Sequence, residues 1–172
     1  KAIQLTVWGL VFQLLYITWR FGGAIWGAAA TIAVFHDVLV TLAFLAFFKY
    51  EITLNIIAAL LTLVGYSVND TIVIFDRVRE NMRSMRRDPL EKVVNTAVNQ
   101  TLGRTVITAG TTFLSVLALY LFGGEVLHGF AFTMLVGIIG GTYPTVLIAA
   151  AIAIILGNRQ GVGAGAAVTA GG

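Results

Sequence analysis

The residue of this chain with the most chemistry to offer is an aspartate inside a hydrophobic run. Asp70 sits in Gly65-Tyr66-Ser67-Val68-Asn69-Asp70-Thr71, just ahead of Ile72-Val73-Ile74-Phe75. Thirty-four residues later, Arg104 places the opposite charge in the next hydrophobic run. A charge at the bilayer centre costs roughly 2.5–3.5 kcal/mol on insertion scales. Two such charges of opposite sign on neighbouring runs point to a partnered site inside a helix bundle. Asp70 either locks two helices together through a salt bridge or alternately binds and releases a proton. For an ionisable residue this deep in a span, the default reading is the second. On a helix, Tyr66, Ser67 and Ile74 share its face, and Gly65 and Ser67 are small enough to allow close helix approach.

The run that carries Arg104 adds a polar stripe. Thr101, Arg104, Thr105, Thr108, Thr111, Thr112 and Ser115 fall on one helical face. A lone Thr or Ser satisfies itself on its own backbone, but seven on one face fit a hydrated seam or proton wire. A structural seam of interhelical hydrogen bonds is the alternative. Together with Ser67 and Asn69 these residues form the expected polar seam. Asp37, with His36 beside it, is a further candidate for proton relay, because imidazole titrates near neutral pH. Neighbours on a helix point about 100° apart, so the two cannot face one site squarely. Gly137 and Gly141 form a small-xxx-small pair that packs helices closely, with Gly140 and Pro144 nearby as a point of flexure. The residues form no nucleophile–base pair, nucleotide-binding loop or metal-ligand cluster, so no catalytic or metal site is assigned. The sequons at Asn69 and Asn99 are discounted as glycosylation sites because of their positions in or beside the membrane.

The elements that must hold these residues follow from composition. Of 172 residues, 58% are hydrophobic and 11% charged, with a mean hydropathy of +0.91. Soluble domains carry about 25% charged residues, so the expected class is an all-α integral membrane protein. With no cysteine, disulfide and thiol chemistry are excluded. Five runs near the length needed to span a bilayer cover about 3–19, 28–48, 54–75, 102–122 and 126–156, giving a transmembrane domain over 1–159. Between the third and fourth, residues 76–100 form a polar connector. Its apolar positions 90, 93, 94, 97 and 98 read as an amphipathic helix at the membrane surface or a solvated connector.

That connector holds Arg77, Arg79, Arg83, Arg86, Arg87 and Lys92. Placing it inside also brings Arg20 and Arg159 inside, giving eight basic residues there against Lys1 and Lys49 outside. The C-terminus is therefore expected in the cytoplasm. The net charge of +3 is explained by this topology without invoking nucleic acid. The Gly- and Ala-rich stretch 160–172 reads as a flexible tail. A start at Lys1 directly before a hydrophobic run reads as the interior of a longer polypeptide.

The stretch Gly65 to Asn81 resembles the signature of the SecF protein-export membrane proteins. So do His36-Asp37-Val38-Leu39-Val40, Asn99-Gln100-Thr101-Leu102-Gly103-Arg104-Thr105, Leu121-Phe122-Gly123-Gly124-Glu125-Val126 and Gly140-Gly141-Thr142-Tyr143. The resemblance implies a resistance-nodulation-division architecture: a six-span bundle paired with that of SecD about a pseudo-twofold axis. The first span and a large extracytoplasmic domain are absent from these residues. It implies a SecD partner (separate or fused), association with the SecYEG channel and the ATPase SecA, and a preprotein substrate. The setting would be the bacterial plasma membrane, with the proton gradient as driving force and no bound cofactor or enzymatic activity. Asp70 and Arg104 fall where the family couples protons. A small-molecule or lipid exporter on the same architecture, and a purely structural membrane subunit, remain the alternatives.

Overall fold

Apolar runs of this length in a bilayer must satisfy their backbone polar groups internally, which a helix does and an isolated strand cannot. In the computed structural model, residues 2–21 and 24–159 are described, apart from the side chains of 2, 3, 5–7, 10, 24, 142–146 and 159. The expected tail over 160–172 and the side chain of Pro144 lie outside the described residues. Five helices follow in order: α1 (Ala2–Phe21), α2 (Ala24–Phe47), α3 (Leu54–Ser84), α4 (Leu90–Phe122) and α5 (Gly124–Arg159). Described stretches of α2, α3, α4 and the first half of α5 are long and apolar enough to cross a membrane. The remaining expected span lies in the 20-residue α1.

The polar stretch 76–100, expected as a connector between spans, is the continuation of the spans themselves. With 31 residues, α3 reaches about 46 Å, and α4 with 33 reaches about 50 Å. Both exceed the roughly 30 Å hydrocarbon core. Their ends project as a helical hairpin closed by residues 85–89. Leu90, Val93, Val94 and Ala97 form the predicted apolar face, but it is buried in a cluster with Phe75 and Val78 of α3. The amphipathic pattern therefore records packing against α3. Gln100 ties the hairpin by accepting from Arg77 Nε at 2.8 Å and from Asn81 Nδ2 at 3.0 Å.

α5 lies at the centre and packs against α2, α3 and α4, while α1 sits at the edge against α2 and α3. Close approach is built in at Gly137, where an added Cβ would lie 2.5 Å from both methyl carbons of Leu63. The reversal from α4 into α5 needs only Gly123 and Gly124. Gly124 takes φ +74°, a conformation that side chains strain. Thr53 caps α3 by accepting from the Ile56 amide at 3.4 Å.

Candidate functional site

Three helices converge on Asp37. On α2, this residue as a whole is 2% exposed. Ser67 of α3 donates a hydrogen bond from Oγ to Asp37 Oδ2 at 2.6 Å. From α5, a Cβ built on Gly141 would stand 3.3 Å from the same oxygen, so the glycine lets that helix's backbone close over the carboxylate. The other oxygen, Oδ1, is buried and accepts no hydrogen bond among the described residues. His36 Nδ1 lies 3.5 Å from Oδ1, but the His36 side chain is 42% exposed against 1% for Asp37. The two neighbours thus face different surroundings, as their helical angle requires.

One turn along α3, Asp70 is 6% exposed, beside the fully buried Thr71. Arg104 is the charge that acts on Asp70, yet no ion pair within 4.0 Å joins them among the described residues. Tyr66, one turn before Asp70, holds a buried hydroxyl with no hydrogen-bond partner among the described residues. From Asp70 the same face of α3 runs through Val73 to Arg77. Those two residues line a groove of about 390 Å³ with Arg20, Asp76, Gln100, Thr101 and Arg104. Its lining on α3 and α4 lies between Asp70 and the 85–89 turn in the chain. Asp70 therefore stands one turn above its inner wall, with Arg104 on the opposite wall.

The polar stripe of α4 splits in two. Thr101 and Thr105 are buried, whereas Arg104, Thr111 and Ser115 are exposed and Thr108 and Thr112 half-buried. The hydroxyls of Thr101, Thr108, Thr111, Thr112 and Ser115 donate to backbone carbonyls of α4 itself, at 2.8–3.2 Å. Asn69 on α3 is likewise exposed. At the far end of the bundle, Tyr50 and His128 Nδ1 lie within hydrogen-bond distance at 3.3 Å, with Tyr120 and Phe132 packed around them. Burial pushes the Tyr50 phenol up and Tyr120 adds to it, so the phenol stays neutral. Among the described residues, no three His, Cys, Asp or Glu side chains are placed to hold a metal.

Comparison with known proteins gives this geometry a family. The profile of the family described as "Protein export membrane protein SecD/SecF, C-terminal" matches residues 1–159. Protein translocase subunit SecF of Koribacter versatilis is 44% identical over 94% of the chain. The SecF subunits of Vibrio alginolyticus and Rhodothermus marinus are 47% and 48% identical over 88% and 87% of it. The chain belongs to the SecD/SecF family. It spans 40%, 48% and 49% of the lengths of these three relatives. The crystal structure of SecDF from Thermus, a translocon-associated membrane protein, superposes with a TM-score of 0.88 at 43% identity, covering 92% of this chain and 22% of that one. SecDF in its super-membrane-facing form gives 0.83 at 44% identity, covering 90% and 21%. The chain is thus a multi-pass helical membrane protein of the SecF type.

Within this SecD/SecF fold the residues singled out from sequence separate by position. Asp37 and Ser67, treated in sequence as separate candidates, are in direct contact. Gly137 and Gly141 lie in helix contacts, against Leu63 and Asp37. Gly65 does not: it is exposed, and a Cβ there would meet nothing within 4 Å. It sits on the outward stripe of α3 with Asn69, about half a turn from Ser67 by angle. The seam expected along α4 is not held by interhelical bonds from its hydroxyls among the described residues. Sequence reading passed over Gln100, Asp76 and Arg20 as parts of the groove. Their signal was weak, because Asp76 and Gln100 belong to a polar stretch that reads as solvated and Arg20 stands at the end of an apolar run, where a basic residue reads as a topology marker.

Proposed function

We propose that this chain is the transmembrane part of a SecF-type subunit that works with SecD, separate or fused. It uses the proton gradient to promote preprotein translocation across the bacterial plasma membrane, alongside SecYEG and SecA. The carrying observation is Asp70: an intramembrane carboxylate, 6% exposed, acted on by Arg104 but not locked to it. A staple would be a closed salt bridge; a carrier must be free to change its charge.

The order of groups supports a path. The Asp37–Ser67 pair lies about one turn beyond Asp70, on the side away from the groove. Asp37 and Ser67 hand a proton to Asp70, which then loses its attraction for Arg104, and the helices around it repack. Release into the groove, toward the end expected in the cytoplasm, restores the charge. One elementary charge crossing about 150 mV is worth roughly 3.5 kcal/mol. That biases two states by a few hundredfold, so one proton can drive a useful movement.

Asp70→Asn in the full-length protein with SecD tests the reading. In inverted membrane vesicles, the proton gradient is expected to speed preprotein translocation by wild type and to leave an equally assembled variant unaffected. A variant that responds like wild type would return Asp70 to a packing role.

A further inference from the structure

At the hairpin end of the bundle, between α1 and α3, a second cleft of about 310 Å³ is lined by Arg20, Asp76, Arg79, Glu80 and Arg83. Its charges are not evenly matched. Asp76 is taken by Arg20 at 3.5 Å, and Glu80 is taken by Arg77. Arg79 and Arg83, one turn apart on α3, have no carboxylate within 4.0 Å among the described residues. Arg79 is nonetheless held in place, donating from Nη1 to the backbone carbonyl of Arg20 at 3.3 Å. The Arg20 guanidinium is steadied over the Phe21 ring at 5.5 Å. Two guanidinium groups thus converge on one cleft with donors unspent.

The surface leading to that cleft is apolar. Phe12, Leu15, Tyr16 and Trp19 of α1 are 66%, 55%, 52% and 80% exposed. Their spacing of three, four and seven puts them on one face. The stripe is about 10 Å long and ends at Trp19, directly beside Arg20. Trp and Tyr are the residues that sit at the headgroup level of a bilayer. A basic cleft at a membrane-surface end, continuous with an apolar stripe, matches a molecule with an anionic head and a hydrocarbon tail. Basic pockets between transmembrane helices take such headgroups. Guanidinium is well suited to phosphate because its paired N–H groups match two oxygens.

We propose that this cleft binds an anionic glycerophospholipid, with Arg79 and Arg83 on the phosphate diester and the α1 stripe against an acyl chain. The shared chemistry is phosphate recognition, and only the tail separates a lipid from free phosphate. The cleft adjoins the groove at Arg104 and shares Arg20, Asp76 and Glu80 with it, but Arg79 and Arg83 line only the cleft, so the site stands whatever the role of Asp70.

The test uses the full-length protein with its SecD partner, purified and reconstituted in nanodiscs of phosphatidylcholine containing phosphatidylglycerol as the probe. Retained phosphatidylglycerol is counted by native mass spectrometry. Arg79→Gln with Arg83→Gln is expected to weaken retention by about thirtyfold, equivalent to about 2 kcal/mol. Arg86→Gln with Arg87→Gln is the control and is expected to change retention little. Trp19→Ala is expected to weaken retention with the arginines intact. Should the double glutamine variant not assemble, Arg79→Lys with Arg83→Lys replaces it, keeping the charge while losing the fork, and is expected to give a smaller loss. Equal retention by the Arg79 and Arg83 variants overturns the proposal. So does an equal loss in the Arg86 and Arg87 control, which would mean diffuse charge attraction. Displacement by inorganic phosphate together with indifference to Trp19→Ala would make it a free-phosphate site. An unchanged lipid count accompanied by loss of a co-purifying acidic protein would make it a protein contact.

Discussion

Removing the Ser67 hydroxyl tests how far Asp37 depends on the hydroxyl that donates to it across the α2–α3 contact. Asp37 is 2% exposed, and its Oδ1 already lacks a hydrogen bond among the described residues. Ser67→Ala deletes the 2.6 Å bond to Oδ2 and leaves both carboxylate oxygens without a side-chain hydroxyl donor among the described residues. A hydrogen bond to a charged group contributes about 1.5–3 kcal/mol, and stranding a buried acceptor costs a comparable amount. We expect Ser67→Ala to destabilise the bundle by about 2 kcal/mol, close to thirtyfold in the folding equilibrium. Asp37→Asn keeps the shape and an acceptor oxygen but removes the charge, so in that background Ser67→Ala should cost about 1 kcal/mol or less. The coupling in the double-mutant cycle is then about 1 kcal/mol or more. Reversible unfolding of the purified protein in mixed micelles measures it. Strict additivity of the two substitutions would refute the reasoning, since it would mean that the two side chains do not share an energetic contact.

Other expectations follow from the same geometry. Gly137→Val drives new carbon into Leu63 and should cost about 1–3 kcal/mol by overpacking; Leu63→Ala in the same chain should recover part of the loss in unfolding experiments. Gly65→Leu meets nothing within 4 Å, so the chain's own stability should move by no more than about 0.5 kcal/mol. If the outward face of α3 carries the partner, the same change should reduce co-purified SecD, and undiminished SecD would remove Gly65 from that interface. Thr111→Val and Ser115→Ala remove hydroxyls that bond only to their own helix among the described residues, so each should shift stability by about 0.5 kcal/mol or less. A loss of gradient-stimulated translocation without a loss of stability would place them on a hydrated path.

Reading the sequence worked best where the bilayer dictates the answer. Five helices follow from the apolar runs because a span must satisfy its own backbone. The buried Asp37 and Asp70 stood out because a carboxylate in such a run is costly. Residues 76–100 were harder to place, since the polar sequence marks where helices leave the membrane but not that they continue as helices. Nothing local distinguishes Val93 and Val94 packed on Phe75 from the same residues lying on lipid. The Asp37–Ser67 bond was illegible for a different reason. Each residue stood out alone, but a contact across 30 positions depends on the register of α2 against α3. That register is set in part at Gly137 and Gly141, where α5 closes on both helices. Gly65 misled because a small residue on a helix permits a close contact without requiring one.

The exposed polar residues carry the mechanism one step further. Only 11% of the most apolar stretch of α4 is buried within the chain, against 44% of that of α3. Arg104, Thr111, Ser115 and, on α3, Asn69 are exposed on helices that span the membrane. Facing hydrocarbon, an arginine there would be expensive, and an amide would leave donors unmet. Gly65, Gly103 and Gly110 leave open space on the same two helices, room for another backbone to come close. The α3–α4 face is thus incomplete by its own energetics, and in the proposed complex the second half of the machine completes it. Arg104 would then stand between two partners: Asp70 within its chain and groups of the adjoining bundle. Neutralising Asp70 releases Arg104 toward that second partner. In this scheme the proton acts by changing which side of the interface holds the arginine, which explains why Asp70 and Arg104 are near enough to interact and yet not bound.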